Sequence, residues 1–289
     1  MANLKELRGR ISSVSSTMQI TNAMKMVSAA KLSRAQDAID SMRPYANKLS
    51  ELLENLMASL DENEGGSQYA EQRDVKRVLL VPISSNRGLA GPFNANIIKK
   101  TKALVRENHQ DHQIELFSIG KKANDVLQKS FGIHALRTEI FDNLHFEEVE
   151  KIAEELMDLY VKGSYDEIHL IYNHFKNAAT QVVLTEQFLP IKPVEHDQNS
   201  GEQLDYIFEP EKKGIIKEMI PKSLKMQLFK ALRDSFASEH GARMTAMHSA
   251  TENATELRDD LKLKYNKARQ ASITNEILEI VGGAEALAD

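Results

Sequence analysis

The chain has 289 residues, no cysteine, and a formal net charge of -5 with a pI near 6.0. The missing cysteine excludes disulfides, thiolate metal sites and a cysteine nucleophile. The mild acidity gives no general attraction to nucleic acid or anionic lipid. No uncharged apolar run reaches the roughly 18 residues that a membrane span needs, so no transmembrane segment of its own is expected.

The start, Met1 to Arg10, has no apolar signal core, and helical periodicity begins at once. Leu4, Leu7, Ile11, Val14 and Met18 follow a 3,4 spacing, which resumes at Leu32, Ala35, Ile39, Met42, Ala46, Leu49, Leu53, Leu56 and Leu60. Such a stripe needs a partner helix, and the segment after Pro221 has the same character. We therefore expect an N-terminal coiled-coil helix over 1–62. Pro44 should bend it near Met42–Arg43, because proline removes a backbone hydrogen bond. Between the two stretches the seam turns polar at Thr21, Lys25 and Ser28, while Ile20, Met24, Val27 and the Ala29–Ala30 pair lie elsewhere round the helix. Apolar residues off the seam predict enclosure by something besides the helical partner, and Met24 and Met26 suit a surface that meets several shapes.

The acidic run Asp61–Glu64 and Gly65–Gly66 mark a linker over 63–74. Residues 75–208 then read as an α/β domain. Val78–Val81, Ile114–Ile119, Glu167–Tyr172 and Thr180–Leu184 are strand-like, with helical patterns near 94–108, 121–130 and 146–162. This alternation predicts a parallel, Rossmann-like sheet. The last two strands could instead form an antiparallel hairpin at its edge. Glu195 to Gln203 reads as a surface loop.

Residues 209–289 return to helix, with a possible break at Pro221. Ala242, Ala246, Ala250 and Ala254 form a ridge of small side chains that would let two antiparallel helices approach closely, although alanine also favours any helix. Leu257, Leu261, Tyr265 and Ala268 extend the stripe, and Gly282–Gly283 weaken the end. The predicted architecture is thus α/β, with a long antiparallel two-helix coiled coil from the terminal segments and a central Rossmann-like domain.

Three stretches carry a family resemblance. Ile20 to Leu32, Tyr265 to Ala284, and the central loop Ser85-Asn86-Arg87-Gly88-Leu89-Ala90-Gly91 resemble motifs of the gamma subunit of F-type ATP synthases, in the right order over essentially the whole chain. Asp74–Val78 is similar to that family's first strand entry. The resemblance implies a non-catalytic rotor shaft without cofactor, coupling proton-driven rotation of a membrane ring to conformational cycling of catalytic subunits. The implied partners are the alpha and beta subunits, the epsilon subunit and the membrane c-ring, with a peripheral position on the cytoplasmic side of the inner membrane in a bacterium. By the same resemblance Met24, Arg243, Arg269, Gln270 and Thr274 would meet the beta subunits, and Tyr206 and Glu209 would lie near the membrane ring and epsilon. Ala90 stands where some relatives carry cysteine, and the regulatory insertion of the chloroplast form is missing.

Other chemistries fit less well. Gly88-Leu89-Ala90-Gly91 sits between a strand and a helix but matches neither phosphate-loop pattern. The alternative, a nucleotide-binding α/β protein with a coiled-coil oligomerisation arm, would place its site at residues 84–94. His109 and His112 have a metal-like spacing, yet they lie in a polar run with no third ligand in view, so solvent exposure is expected and no metal site. Asn253-Ala254-Thr255 is formally a glycosylation acceptor in mid-helix and is expected to stay unmodified.

Overall fold

The computed structural model describes residues 4–58, 68–71, 73–141, 144–191 and 212–285. Helix α1 spans Leu4–Ala58 and helix α5 spans Lys212–Glu285, with 55 and 74 residues. At 1.5 Å per residue they extend about 80 and 110 Å. Pro44 and Pro221 both lie within continuous helix, so the break expected at Pro221 is not there. The expected loop at Glu195–Gln203 and seam positions such as Leu60 lie outside the described residues.

The chain divides into two compact units, residues 1–28 with 244–289, and residues 29–243. In the first unit the ends of α1 and α5 run antiparallel. The Arg8 guanidinium donates to the Tyr265 hydroxyl at 3.0 Å, and Thr21 and Thr251 share a hydroxyl hydrogen bond at 2.8 Å. Leu7, Thr21 and Ser28 are buried, with Ile11, Val14, Met18 and Lys25 half-buried, so the 3,4 frame is the seam through its polar stretch. On α5 the matching positions are Met247, Ala254 and Leu261, buried, with Ala250, Arg258, Tyr265 and Ala268 half-buried. Two expectations are corrected. Leu257 points outward, half exposed. The two helix backbones seldom come within 8 Å of one another, so the alanine ridge does not act as a close-packing surface. Met247 is the buried residue between Ala246 and Ala250.

The second unit contains five strands: β1 Arg77–Pro82, β2 Gln113–Ile119, β3 Gly132–Arg137, β4 Glu167–Phe175 and β5 Gln181–Leu189. Their order is β3-β2-β1-β4-β5; β1 to β4 are parallel and β5 pairs antiparallel with β4. The edge hairpin is therefore the correct reading of the last two strands. β3 was not anticipated: its Gly132-Ile133-His134-Ala135-Leu136-Arg137 is an exposed edge with little apolar weight. Helices α2 (Phe93–Asn108) and α3 (Lys121–Leu127) cover one face, where Ile97, Leu104, Ala123 and Leu127 bury Val78, Leu80, Leu116 and Ile171. Helix α4 (Phe146–Val161) and α5 cover the other. There Leu156, Tyr160, Leu224, Leu228 and Leu232 join Leu79, Val81, Phe117 and Leu170 in the larger core.

Two local devices fix the sheet ends. The Asp166 carboxylate accepts from the backbone N–H groups of Lys76 and Arg77 at 2.9 and 2.8 Å, tying the entries of β1 and β4. Gly120 ends β2 at φ +91°, with its Cα against Ser84: a Cβ there would sit 1.9 Å from the Ser84 carbonyl oxygen. Gly120→Ala should destabilise the chain by about 3 kcal/mol or more. Gly132→Ala, which meets only the flexible Glu115 side chain at 3.4 Å, should be near neutral. Urea unfolding of the two variants measures the difference.

Candidate contact surfaces

The surfaces that the chain leaves unused are apolar and lie on the helices. On α1, Ile20 and Met26 are both 60% exposed and Val27 is 58% exposed, on the side away from the buried seam. Met24 is half-buried, and its carbonyl accepts the Ser28 hydroxyl at 2.8 Å. The polar seam is satisfied inside the pair: Thr21 bonds Thr251, and Thr255 and Arg258 donate to the Met18 sulfur at 3.4 Å. Placing Thr21 and Ser28 inside leaves Ile20 and Val27 outside, because one helical position cannot face both ways.

On α5, residues 269–284 are exposed on every side. Arg269, Gln270 and Thr274 are therefore free to meet a partner; the Thr274 hydroxyl donates to the Gln270 carbonyl at 3.0 Å, a bond within its own helix. The larger feature is apolar. Ile273, Ile277, Ile280 and Val281 form a helical stripe and Leu278 lies off it, all about half exposed or more. Sequence reasoning named the polar members of this segment and missed its isoleucines, although their 4,3 spacing was visible.

Arg243 is not on an open face. It is buried, and its guanidinium donates to Glu239 at 2.6 Å and to the carbonyls of Arg87 and Gly88 at 3.2 and 3.3 Å. It thus pins the Ser85–Gly91 loop to α5, where Ala242 packs on Ala90 and Phe93. The loop's first residue is tied down locally. The Ser85 N–H donates to the Asn94 side chain at 3.0 Å, and the Ser85 hydroxyl donates to the Arg87 carbonyl at 2.6 Å. At its tip Leu89 holds φ +62° and is 66% exposed. A leucine in the left-handed region is uncommon and needs surrounding structure to hold it. Tyr206 and Glu209 lie outside the described residues.

Charge around the Arg243 anchor is tightly managed. Burial pushes the Glu239 carboxyl up, against the pull of Arg243, Lys31 and Arg87. Burial, with Arg243 and Lys31, pushes His240 down to about 3, and its Nδ1 has no hydrogen-bond partner. Opposite, the His174 ring contacts the Asp234 carboxylate at 2.5 Å. The described residues also hold a group not anticipated at all: His109 is buried rather than exposed, and it lies with Glu167 and His169. Among the described residues no helix is long and apolar enough to cross a membrane.

Comparison with known proteins places this geometry. A family model described as ATP synthase matches residues 3–287. An ATP synthase gamma chain of Christiangramia forsetii is 68% identical over 99% of both chains, and that of Flavobacterium johnsoniae is 64% identical over the same shares. Among solved structures, a chain of the central stalk and c-ring of the Tetrahymena thermophila mitochondrial ATP synthase is 28% identical, covering 80% of this chain and 99% of its own, with a TM-score of 0.59. A chain of the Euglena gracilis mitochondrial enzyme has the same fold with a TM-score of 0.71 at 21% identity, covering 98% and 94%.

Two outcomes follow from the buried charges. Arg243→Met should cost about 3–5 kcal/mol, because it leaves Glu239 buried without its partner. The double change with Glu239→Gln should recover much of that loss in a mutant cycle followed by urea unfolding. His240 is neutral in the folded chain and protonates on unfolding below its ordinary value near 6.5. Its contribution to stability therefore falls as pH drops from about 6.5 towards about 3, by about 1.4 kcal/mol per pH unit at the steepest. His240→Gln should flatten that slope between pH 6 and 4.

Proposed function

The chain belongs to the ATP synthase gamma family, and on that premise we propose a division of labour along its length. Family members form the central stalk of the F1 part of a membrane complex, and this chain is such a stalk subunit, peripheral and non-catalytic. Its partners are the alpha, beta and epsilon subunits and the c-ring. Within that role, the paired ends of α1 and α5 form the part enclosed by the alpha and beta subunits. Met24 on α1 and Arg269, Gln270 and Thr274 on α5 meet the beta subunits. Arg243 acts on the same contacts from inside, by holding the Ser85–Gly91 loop and its exposed Leu89 in place. Tyr206 and Glu209 serve the contact with epsilon and the membrane ring. The bacterial relatives support a position on the cytoplasmic side of the inner membrane.

One observation carries this reading: the helix pair is apolar on the outside. Ile20, Met26 and Val27 on α1 and Ile273, Ile277 and Ile280 on α5 face water although the intrachain seam is filled by other residues. Large exposed apolar surface marks an interaction site, and here it lies on α1 beside the seam and on the end of α5 beyond its contacts with α1. Coupling then needs unequal contacts, since a shaft shifts a site's equilibrium only as far as it touches that site's states differently. The two helices meet this condition because they end at different points and present different side chains. The competing nucleotide-binding reading has less support, because residues 85–91 match neither phosphate-loop pattern and Arg243 takes the loop's Arg87 and Gly88 carbonyls.

The chain has no cysteine of its own, so a single Met24→Cys introduces an unambiguous crosslinking handle. Disulfide linkage of that residue to a facing cysteine in a beta subunit should lower ATP hydrolysis of the reconstituted complex at least about tenfold, the loss of about 1.4 kcal/mol in the rate-limiting step. Reduction should restore it. Unchanged hydrolysis with the link in place would show that the pair does not turn against the ring. The isolated chain should hydrolyse no ATP.

A further inference from the structure

The geometry points to a divalent-metal site of the zinc class, built from His109, Glu167 and His169, with His112 beside His109 in place to complete it, at the end of the sheet where α2 stops. The fold brings these residues together from two sequence-distant segments. Glu167 and His169 stand two apart on β4, so both project from the same face; that face carries Ile171 and packs under α2. His109 is the C-terminal cap of α2, and its N–H bonds the Val105 carbonyl at 3.1 Å. A tight turn, closed by the His112 N–H on the His109 carbonyl at 3.3 Å, brings His112 alongside before β2 begins.

The ligand atoms of His109, Glu167 and His169 all lie within 4.8 Å of one another. Glu167 Oε2 and His169 Nε2 are 2.9 Å apart, and the Nδ1 atoms of His109 and His112 are 3.3 Å apart. Zinc bound tetrahedrally at about 2.0–2.1 Å holds its ligands about 3.3–3.4 Å apart. The cluster is thus within a few tenths of an ångström of that spacing along two edges. Two imidazoles and one carboxylate, with the His112 ring nitrogen 3.3 Å from that of His109, form a nitrogen-rich set of the kind zinc prefers over magnesium or calcium. The plainer account, a polar network tying α2 to β4, explains the His169–Glu167 bond. A hydrogen bond between the two imidazoles accounts for the His109–His112 contact in the same way, and zinc uptake is what separates the two accounts. A bound ion would staple the end of α2 to the start of β4, across β1.

The test uses the full-length chain. The chain should compete with a chromophoric chelator for Zn²⁺ with a stoichiometry of about one ion per chain, and Co²⁺ in its place should give the intense visible bands of a tetrahedral site. Saturating Zn²⁺ should also raise the urea midpoint, as any ligand specific for the folded state does. His169→Ala and the milder His112→Gln, at a half-buried turn position, should each weaken zinc binding at least about tenfold. Glu167→Gln should abolish the midpoint shift. His248→Gln, on the exposed surface of α5, should leave binding unchanged. Failure of the unaltered chain to compete for zinc overturns the site. Binding that survives both His112→Gln and His169→Ala within twofold overturns it as well, because the metal would then rest on other histidines.

Discussion

An apolar stripe on a very long helix has to be covered, and most of this molecule follows from how that is done. A helix of 55 residues is not stabilised in water by propensity alone; packing on one face supplies most of the free energy. Helix α5 meets the need in two ways along its length. From Ile220 to Leu232 it is a domain helix, burying its apolar side in the core shared with β1, β2, β4 and α4. From Met247 to Ala268 its cover among the described residues comes from α1, and its fully buried positions, Met247, Ala254 and Leu261, narrow to one in every two turns. At Gly241 it passes against the β4–β5 turn, where an added Cβ would lie 3.3 Å from Ala178.

The polar stretch of the seam shows what is exchanged for that arrangement. A buried hydroxyl pair such as Thr21–Thr251 contributes about 0.5–1.5 kcal/mol net. Burying a leucine would contribute about 1.5–3 kcal/mol. The pair is therefore weaker here than a leucine seam would make it. Isoleucine, valine and methionine at neighbouring positions are turned outward instead of inward. Stability has been moved from the intrachain contact to whatever surrounds it.

Much of this was legible in the residues. The 3,4 frame of α1 could be followed through Thr21, Lys25 and Ser28 because periodicity is a property of spacing, and burial agrees with it position by position. Four strands and three helices of the central domain were readable as apolar runs between turns. β3 was not, since an edge strand that exposes most of its residues has no apolar signature. The alanine ridge misled because alanine serves helix propensity and close approach alike, and sequence does not separate them. Arg243 looked like a charge on a helix face, whereas Glu239 one turn before it and two loop carbonyls from the distant residues 87 and 88 draw it inside. The His109 cluster was hidden for the same reason: Glu167 and His169 reach it only through the register of β4 beside β1.

The bare end of α5 has a consequence for how the chain is made. Among the described residues nothing covers 269–284, and Gly282–Gly283 lower the helix propensity near the tip. Five bulky aliphatic side chains there are wetted in the chain by itself. A cell that synthesises this polypeptide in excess of its ring subunits accumulates copies with sticky ends, open to self-association. Matched supply of the components, rather than any property of the finished machine, is the demand that this feature places on the organism.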